Sequence, residues 1–448
     1  MSIFKAYDIR GLVDKELTAD FCFNTGVAFA IFLQQQREPA TVIIGEDMRP
    51  SSPIYADAFS AGVTSQGMDV IRIGLASTDL LYFAAGKLNF PGAMFTASHN
   101  PAEYNGIKLC FSGARPIGKE SGLLAIEKLV MEGAPIAPRS VGVEKKLNLL
   151  DEYVEHLLTL VPLKGNRPLK IVIDAGNGMA GHTAPAVFAK LNAEVIEMYF
   201  ELDGTFPNHE ANPIDEENLK DLKAAVKKHK ADIGLAFDGD ADRCFLVDEK
   251  GEGVNPSTLT ALIADRELKK SPGSTIIYNL ISSKAVPEIV EEHGGKAVRS
   301  RVGHSYIKKL MAETGAVFGG EHSGHFYFKD FWKADSGMLA ALHAIAALGE
   351  VKAPLSEILK PYSRYYSSGE INSKVKDSHD SMKNIEGKYG EKVGNKVDDL
   401  DGLTVTSDKW WFNVRASNTE PVLRLNVEAD SSALMKKIRD EVLATIRA

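Results

Sequence analysis

Apolar runs of strand length alternate with segments of helical period along most of this 448-residue chain. The strand-like runs lie at 41–44, 69–73, 91–95, 169–174, 275–278 and 316–318, and helical patterns lie near 52–66 and 78–87. Several runs lead directly into a polar or glycine-rich loop, such as 175–181. This alternation predicts α/β domains with mostly parallel strands, whose ligand-binding loops follow the carboxyl ends of the strands.

The C-terminal part has a different pattern. Three strand-like runs lie close together at 403–406, 410–414 and 422–427, and one amphipathic helix is predicted over 431–447. Polar stretches that contain glycine or proline mark domain boundaries near 132–147, 249–256 and 361–372. Close strands followed by one helix indicate a small α+β domain with an antiparallel sheet.

The composition argues against several classes of protein. With 44% hydrophobic and 25% charged residues, the chain is expected to be a soluble globular protein of roughly two to four domains. A net charge of −8 without a basic run argues against a nucleic-acid-binding surface. Neither a secretory signal nor an apolar run long enough to span a bilayer is found, so a cytoplasmic protein without membrane contacts is expected. The scattered Cys22, Cys110 and Cys244 form neither a disulfide framework nor a zinc cluster.

Three aspartates alternate in the segment FDGDADR, at the end of the apolar run 233–237. The carboxylates of Asp238, Asp240 and Asp242 would repel one another unless a cation lay between them. A short loop that offers only oxygen ligands suits Mg²⁺ better than zinc or copper, and its spacing does not fit a calcium-binding EF-hand. An acidic surface turn is the alternative. The segment predicts a magnesium site with Arg243 beside it.

A serine loop, TASHNP at 96–101, follows the strand-like run at 91–95. Ser98, with His99 next to it and Lys108 nearby, is a candidate nucleophile or phosphorylation site. A serine hydroxyl needs acid–base or electrostatic help to react. An Asn-Pro turn with the serine as a local cap is the alternative. A serine hydrolase has less support, because a glycine-x-serine-x-glycine elbow is absent.

The glycine-rich segment GGEHSGH at 319–325 also follows a strand-like run. Glu321, Ser323 and His325 alternate, so an extended segment would point all three side chains to one side. Carboxylate, hydroxyl and imidazole groups can hydrogen-bond the hydroxyls of a sugar, and the glycines let a ligand approach the backbone. A glycine-rich turn whose polar groups satisfy one another is the alternative.

A fourth loop, RASNTEP at 415–421, connects two strand-like runs of the last domain. The guanidinium of Arg415 beside Ser417, Asn418 and Thr419 is typical of a phosphate cradle, because arginine makes bidentate, permanently charged contacts. A hairpin connection with capping residues is the alternative. Together, a metal site, a serine, a sugar-binding loop and a phosphate cradle predict phosphoryl transfer on a sugar phosphate.

Five segments resemble the α-D-phosphohexomutase superfamily, and within it the bacterial phosphomannomutase/phosphoglucomutase branch: FKAYDIRG at 4–11, TASHNP, DGDADR, GEHSGH and RASNTEP, in this order. The resemblance extends from residue 4 to the final domain. It implies three topologically related α/β domains with mixed, mostly parallel sheets, and then a smaller α+β domain similar in outline to the TATA-box-binding protein, all around a central cleft. The implied domains cover 1–145, 146–251, 252–362 and 363–448.

The resemblance also implies roles for individual residues. Ser98 would be a phosphoserine, and Asp238, Asp240 and Asp242 would hold Mg²⁺ together with one of its oxygens. The residues implied to flank the transferring phosphoryl group are Arg10, His99 and Lys108, with Lys108 the preferred general acid or base. The residues implied to bind substrate are Tyr7, Arg243, Lys284, His304, Glu321, Ser323, His325, Arg415, Ser417, Asn418 and Thr419. For Lys284, a salt-bridged surface lysine is the alternative.

The implied reaction is the reversible interconversion of hexose 1-phosphate and hexose 6-phosphate, with mannose or glucose as the sugar. Hexose 1,6-bisphosphate would be intermediate and activator, and it would turn end over end while the last domain closes over it. Small-molecule hexose phosphates are the expected partners, and a monomer and a dimer are both left open. One alternative is phosphoglucosamine mutase, whose branch tends to have glutamine in place of His322 and glycine in place of Ala241. The other is a non-catalytic, phosphorylatable scaffold or sugar-phosphate-binding protein.

Overall fold

The computed structural model describes residues 3–135, 140–163, 167–375, 377–390, 392, 394–416 and 422–447. These residues form four domains, each built around one sheet. No helix within these ranges is both long enough and apolar enough to cross a membrane.

The first domain contains a six-stranded sheet in the order β1-β5-β4-β2-β3-β6. Its strands are β1 (Ile9–Leu12), β2 (Thr41–Glu46), β3 (Asp69–Leu75), β4 (Gly92–Phe95), β5 (Tyr104–Cys110) and β6 (Glu144–Lys146). Its α-helices are α1 (Ala19–Gln35), α2 (Ser52–Ser65), α3 (Thr78–Leu88) and α4 (Leu124–Glu132). Strand β5 runs antiparallel to β4 and β1, whereas β2, β3, β4 and β6 are parallel. The sequence pattern does not predict β5, because Asn105, Gly106 and Lys108 interrupt its apolar residues.

Helices α1 and α2 of this domain pack closely through two glycines. A Cβ atom at Gly26 would lie 2.2 Å from the carbonyl oxygen of Phe59. A Cβ atom at Gly62 would lie 2.1 Å from the carbonyl oxygen of Phe23. Because both distances are far below van der Waals contact, any larger residue at either position would force the two helices apart.

The second domain contains a five-stranded sheet in the order β11-β10-β9-β7-β8. Its strands are β7 (Leu169–Asp174), β8 (Ala193–Met198), β9 (Ile233–Phe237), β10 (Cys244–Asp248) and β11 (Gly253–Val254). Its α-helices are α5 (Leu150–Leu160), α6 (Ala180–Phe188) and α7 (Lys220–His229). The boundaries at 145/146 and 251/252 stay predictions, although β6 and β11 bring residues just beyond them into the first and second sheets.

The third domain contains a five-stranded sheet in the order β13-β12-β14-β15-β16. Its strands are β12 (Thr275–Asn279), β13 (Lys296–Ser300), β14 (Phe318–Gly320), β15 (Phe326–Phe328) and β16 (Ala334–Asp335). Its α-helices are α8 (Pro256–Lys270), α9 (Ala285–Glu292), α10 (His304–Thr314), α11 (Gly337–Gly349) and α12 (Leu355–Leu359). Strand β14 begins two residues later than the predicted strand at 316–318.

These three sheets share one strand order. The matching segments are β5-β4-β2-β3, β10-β9-β7-β8 and β15-β14-β12-β13. In each segment the first strand is antiparallel and the other three are parallel. The connection into the antiparallel strand is in turn 96–103, 238–243 and 321–325. The serine loop, the aspartate loop and the glycine-rich loop therefore occupy equivalent positions at the carboxyl ends of parallel strands.

The fourth domain contains an antiparallel sheet in the order β17-β21-β20-β19-β18. Its strands are β17 (Tyr366–Lys374), β18 (Lys396–Asp398), β19 (Leu403–Thr406), β20 (Trp410–Ala416) and β21 (Val422–Ala429). Its α-helices are α13 (Ser378–Tyr389) and α14 (Ser432–Ile446). The predicted α+β domain with an antiparallel sheet is confirmed.

The apolar cores divide the molecule into two parts. One continuous cluster joins the first three domains through buried residues such as Leu81, Phe237 and Phe318. The fourth domain has a separate cluster that includes Phe412 and Ile438. The first three domains therefore pack as one body, to which the fourth is attached.

Candidate active site

Ser98 lies in the connection between β4 and β5 and is only 4% exposed. Its backbone is left-handed, with φ of 52°, which is an unfavourable conformation for a residue with a side chain. Its N–H donates to Oγ1 of Thr96 at 2.9 Å. The buried guanidinium of Arg49 donates to the carbonyl oxygens of Ser98 at 3.0 Å and Asn100 at 2.7 Å. Sequence reasoning missed Arg49, because a single arginine in a polar loop carries no recognisable pattern.

The serine hydroxyl meets the aspartate loop of the second domain. Oγ of Ser98 donates to Oδ2 of Asp238 at 2.9 Å. Gly239 permits this approach, since a Cβ atom there would lie 2.4 Å from the carbonyl oxygen of Ser98. Nη2 of Arg243 lies 3.5 Å from the same hydroxyl. The structure therefore brings the serine and aspartate loops together, while the roles assigned to them stay predictions.

The three aspartates form a compact buried group. Asp238 and Asp240 are 0% exposed and Asp242 is 1% exposed. One carboxylate oxygen from each lies within 4.8 Å of the others. Oδ1 of Asp240 and Oδ1 of Asp242 are buried and accept no hydrogen bond from the described residues. Three converging carboxylates, two of which keep an oxygen free of hydrogen bonds from the described residues, fit a hard divalent cation.

Lys108, on β5, is the cationic side chain closest to this group. Its Nζ donates to Oδ2 of Asp240 and to Oδ2 of Asp242, each at 2.6 Å. Burial alone would lower the pKa of Lys108, but the two carboxylates hold it well above its usual value. Burial would likewise raise the pKa of Asp240, but Lys108 holds it well below its usual range. The pair is therefore an ammonium and a carboxylate at neutral pH.

The pKa of Asp238 is shifted in the opposite direction to that of Asp240. Burial raises the pKa of Asp238 to about 7, although Arg243 opposes the shift. Nε of Arg243 donates to Oδ2 of Asp238 at 2.8 Å, and its backbone N–H donates to Oδ1 at 3.1 Å. Arg243 therefore lies beside the aspartate loop, as the sequence predicts.

His99 contacts the serine hydroxyl, and Arg10 contacts the same loop at Asn100. Nδ1 of His99 lies 3.2 Å from Oγ of Ser98. Burial and the charge of Arg243 lower the pKa of His99 well below its ordinary value, so the imidazole is neutral. Nη1 of Arg10 donates to Oδ1 of Asn100 at 2.7 Å.

One cavity of about 130 Å³ connects these groups. Eight of the predicted site residues line it: Tyr7, Arg10, Ser98, His99, Lys108, Asp242, Arg243 and His325. Burial raises the pKa of Tyr7 to about 12, so its phenol stays protonated. The lining combines three cationic side chains with three carboxylates, which belong to Asp8, Asp242 and Asp335. Cations, carboxylate acceptors and hydroxyl groups in one cavity suit a ligand that carries both an anionic group and hydroxyl groups.

The glycine-rich loop at 321–325 is not extended, and the prediction of one shared side-chain face is wrong. Its backbone turns tightly: the N–H of Glu321 donates to the carbonyl oxygen of His325 at 3.0 Å, and Gly324 has φ of 86°. The carboxylate of Glu321 is buried and accepts from the hydroxyl of Tyr327 at 2.7 Å and from the N–H of Gly303 at 3.0 Å. The turn arises because β14 and β15 pair directly on either side of it.

The other polar residues of this loop have separate environments. Oγ of Ser323 lies 3.2 Å from Nδ1 of His325, and Nε2 of His325 lies 3.6 Å from Oδ1 of Asp242. Nδ1 of His322 contacts Oγ of Ser257 at 3.1 Å, and burial lowers the pKa of His322 to about 4. Of these groups, His325 lies closest to the aspartate loop.

The arginine of the predicted phosphate cradle is paired within its own domain. Nη2 of Arg415 donates to Oε2 of Glu370 on β17 at 2.6 Å. Ser417, Asn418 and Thr419 lie outside the described residues. The side chain of His304, the first residue of α10, also lies outside what the structure describes.

Lys284 lies at the seam between the third and fourth domains. Its backbone N–H donates to Oε1 of Glu428 at 2.9 Å. Its Nζ lies 3.8 Å from Glu288 and 5.6 Å from the ring centre of Tyr365. These contacts correspond to the alternative prediction of a salt-bridged lysine, and substrate binding by Lys284 stays a prediction.

Comparisons with known proteins agree with this arrangement. Four family models match in order: phosphoglucomutase/phosphomannomutase α/β/α domain I over residues 1–135, domain II over 151–251, domain III over 255–365, and the C-terminal domain over 370–445.

Curated relatives match over their full length. A phosphomannomutase of Escherichia coli K12 is 38% identical over 100% of this chain and 99% of its own. A phosphohexose mutase of Xanthomonas campestris is 39% identical over 99% of this chain and 98% of its own. Among solved structures, a phosphoglucomutase/phosphomannomutase family protein from Burkholderia thailandensis is 33% identical, with a TM-score of 0.91 over 99% of this chain and 97% of that one. A chain matched throughout by such enzymes belongs to the α-D-phosphohexomutase superfamily, and it is therefore an isomerase that interconverts hexose phosphates.

Proposed function

We propose that this mutase interconverts the 1- and 6-phosphates of mannose and glucose through a phosphoserine at Ser98. The observation that supports this most strongly is the position of the Ser98 hydroxyl, which is 2.9 Å from Asp238 in the buried aspartate group. A serine placed there can carry a phosphoryl group next to a cation site. No other serine hydroxyl in the described residues donates to any of the three aspartates.

Mg²⁺ is the cation that the three aspartates suit best. Asp238, Asp240 and Asp242 would hold it, together with a phosphoserine oxygen, and it would neutralise charge on the transferring phosphoryl group. The unshared Oδ1 atoms of Asp240 and Asp242 support this assignment.

Side chains around the phosphoryl group would supply positive charge and transfer protons. The group moves from Oγ of Ser98 to a free hydroxyl of the bound hexose phosphate: the serine P–O bond breaks and a sugar P–O bond forms. The sugar hydroxyl gives up its proton and Oγ of Ser98 gains one, so that the serine is left as a free hydroxyl. Lys108 and neutral His99 both line the cavity that holds Ser98. Lys108 is our preferred general acid or base, and as an ammonium it would act first as the acid. Arg10 supplies a further positive charge at the same cavity.

The second half of the reaction requires the hexose 1,6-bisphosphate to turn. Its other phosphate then faces Ser98, which takes that group back and releases the isomer. The phosphate that is not reacting would be held by Arg415, Ser417, Asn418 and Thr419. Arg415 would release its contact with Glu370 and bind that phosphate in its place. Ser323 and His325 would contact the sugar. Sugar binding by Glu321 stays a prediction, because its buried carboxylate accepts hydrogen bonds from Gly303 and Tyr327.

Substrate assays and mass spectrometry test this proposal. The purified protein is incubated with Mg²⁺, a trace of hexose 1,6-bisphosphate, and either mannose 1-phosphate, glucose 1-phosphate or glucosamine 1-phosphate. We expect turnover of the first two sugars and a phosphorylated peptide that contains Ser98. Preferred turnover of glucosamine 1-phosphate would favour the phosphoglucosamine mutase alternative. Phosphate on a different residue, with full activity in Ser98→Ala, would contradict the proposal.

A further inference from the structure

The start of helix α3 in the first domain contacts the aspartate loop of the second domain directly. Oγ1 of Thr78 donates to Oδ2 of Asp240 at 2.6 Å. The backbone N–H of Thr78 also donates to the carbonyl oxygen of Asp240, at 2.9 Å. Both residues are 0% exposed. These two hydrogen bonds connect Thr78 to both the side chain and the backbone of Asp240.

The two carboxylate oxygens of Asp240 differ in their hydrogen bonds. Oδ2 accepts from Thr78 and from Lys108, each at 2.6 Å. Oδ1 is buried and accepts no hydrogen bond from the described residues. A hydrogen bond to one oxygen of a ligating carboxylate orients the other, and such bonds tune metal affinity. Thr78 therefore acts on the cation site through Asp240.

Thr78 is in turn anchored where three domains meet. The next residue, Asp79, is 1% exposed and accepts from the hydroxyl of Ser77, which caps α3. It also accepts from the hydroxyl of Tyr153 on α5 at 2.7 Å, and from that of Ser336, which caps α11, at 2.6 Å. Donors from the first, second and third domains thus satisfy one buried carboxylate and hold the start of α3.

We propose that Thr78 is a positioning residue for the cation site: its hydroxyl fixes Asp240 so that Oδ1 is presented to the ion, and Asp79 anchors Thr78 across the domains. The inference rests on the proposed function, since it assumes that Asp240 ligates a cation. Nothing in the sequence pattern marks Thr78, because its contact comes from a loop 162 residues away.

Calorimetric titration of Mg²⁺ into the dephosphorylated protein tests the inference. Thr78→Val keeps the shape and removes the hydroxyl, so the dissociation constant of Mg²⁺ should rise about 10-fold or more. Thr78→Ser keeps the hydroxyl and should regain most of the affinity. Thr25→Val is the matched control, because Thr25 is also buried in the first domain but donates to Phe21 within its own helix. If Thr78→Val does not fold, Thr78→Ala takes its place with the same expected loss.

The outcomes separate this inference from the proposed function. If the wild-type protein does not bind Mg²⁺, or if Asp242→Asn binds it unchanged, the cation site itself is wrong. If Asp242→Asn loses binding while Thr78→Val binds Mg²⁺ as the wild type does, only the role of Thr78 is overturned. The same holds if Thr78→Val lowers the melting temperature without changing the dissociation constant, since that is the result of a purely structural role.

Discussion

The site formed by Ser98 and the three aspartates differs from the region around Arg415 in the fourth domain. At the first, Ser98 and Asp240 are almost fully buried, and their contacts join separate domains. The domains that contribute them share one apolar core. At the second, Arg415 pairs with Glu370 inside its own domain, which has a core of its own.

The seam between the third and fourth domains carries several polar contacts. They join Arg299 to Asp398 at 2.5 Å, the N–H of Val302 to Asp401 at 3.2 Å, and the N–H of Lys284 to Glu428 at 2.9 Å. When two domains separate, water replaces partly exposed ion pairs and single hydrogen bonds at a small cost in free energy. Exposing a shared apolar core costs much more. In our proposal, the residues that act on the phosphoryl group therefore lie in the domains that share a core, whereas the phosphate contact proposed for Arg415 lies in a domain that is attached mainly by polar contacts.

The largest effect is expected in the domains that share a core. Asp240→Asn should lower kcat by roughly 100- to 1000-fold with little change in KM, because it weakens the proposed cation site that would neutralise charge on the transferring phosphoryl group. Steady-state assays with mannose 1-phosphate and glucose 1-phosphate measure both constants. Asp151→Asn, at an exposed position of α5, is the control. A large rise in KM with unchanged kcat would mean that the loop binds substrate rather than acting in the chemical step.

Arg415→Ala should act mainly on KM and less on kcat, the opposite of Asp240→Asn. Each charge-assisted hydrogen bond to phosphate contributes about 1.5–3 kcal/mol, so KM should rise about 10- to 150-fold. The fall in kcat should be smaller than in Asp240→Asn. The same assays apply, with Arg439→Ala as control, since Arg439 pairs with the exposed Asp440 on its own helix, α14. An unchanged KM would exclude Arg415 from the phosphate cradle.

A smaller effect is expected at the seam. Glu428 is 4% exposed and accepts from Lys284 and from Nε1 of Trp411 at 2.8 Å. Glu428→Ala should loosen the fourth domain, so that its connection to the third domain is cleaved faster by protease while the Mg²⁺ affinity stays unchanged. Glu386→Ala, at an exposed position of α13, is the control. Slower cleavage, or loss of Mg²⁺ binding, would argue against the division between the domains that share a core and the fourth domain.

The smallest effect is expected from Tyr153→Phe. It removes one of three hydroxyl donors to Asp79 and leaves the donors Ser77 and Ser336 in place. The free energy of unfolding should fall by about 1 kcal/mol, which thermal denaturation detects as a lower melting temperature. Tyr366→Phe, at an exposed position, is the control. No change in melting temperature would show that this contact does not hold the domains together.

The sequence predicts elements well where local pattern decides the structure. Strands β2, β3, β7 and β19 follow apolar runs, and helices α2 and α14 follow their periodicity. The sequence pattern does not predict strand β5, because the strand is stabilised by pairing with β4 and with β1, which is distant in sequence. The alternation of polar residues in the glycine-rich loop predicts an extended segment. Hairpin pairing of β14 with β15 instead imposes a turn, in which Glu321 is buried.

The same distinction applies to the site. Ser98 and the three aspartates stand in recognisable segments, and their residue types predict their chemistry. Arg49 and Thr78 have no such segment, because each acts through one contact with a part of the chain that is distant in sequence. Contacts of that kind depend on how the domains pack, which no local pattern encodes.

The central claim is that a phosphoryl group on Ser98 and the carboxylates of Asp238, Asp240 and Asp242 share one divalent cation. Calorimetric titration of Mg²⁺ into fully phosphorylated and fully dephosphorylated protein tests it most directly. A phosphoserine adds about −1.5 to −2 charges and three acceptor oxygens, so we predict one ion per chain, bound at least several-fold more tightly by the phosphorylated form. Equal affinities in the two forms, or no Mg²⁺ binding in either, would contradict the account.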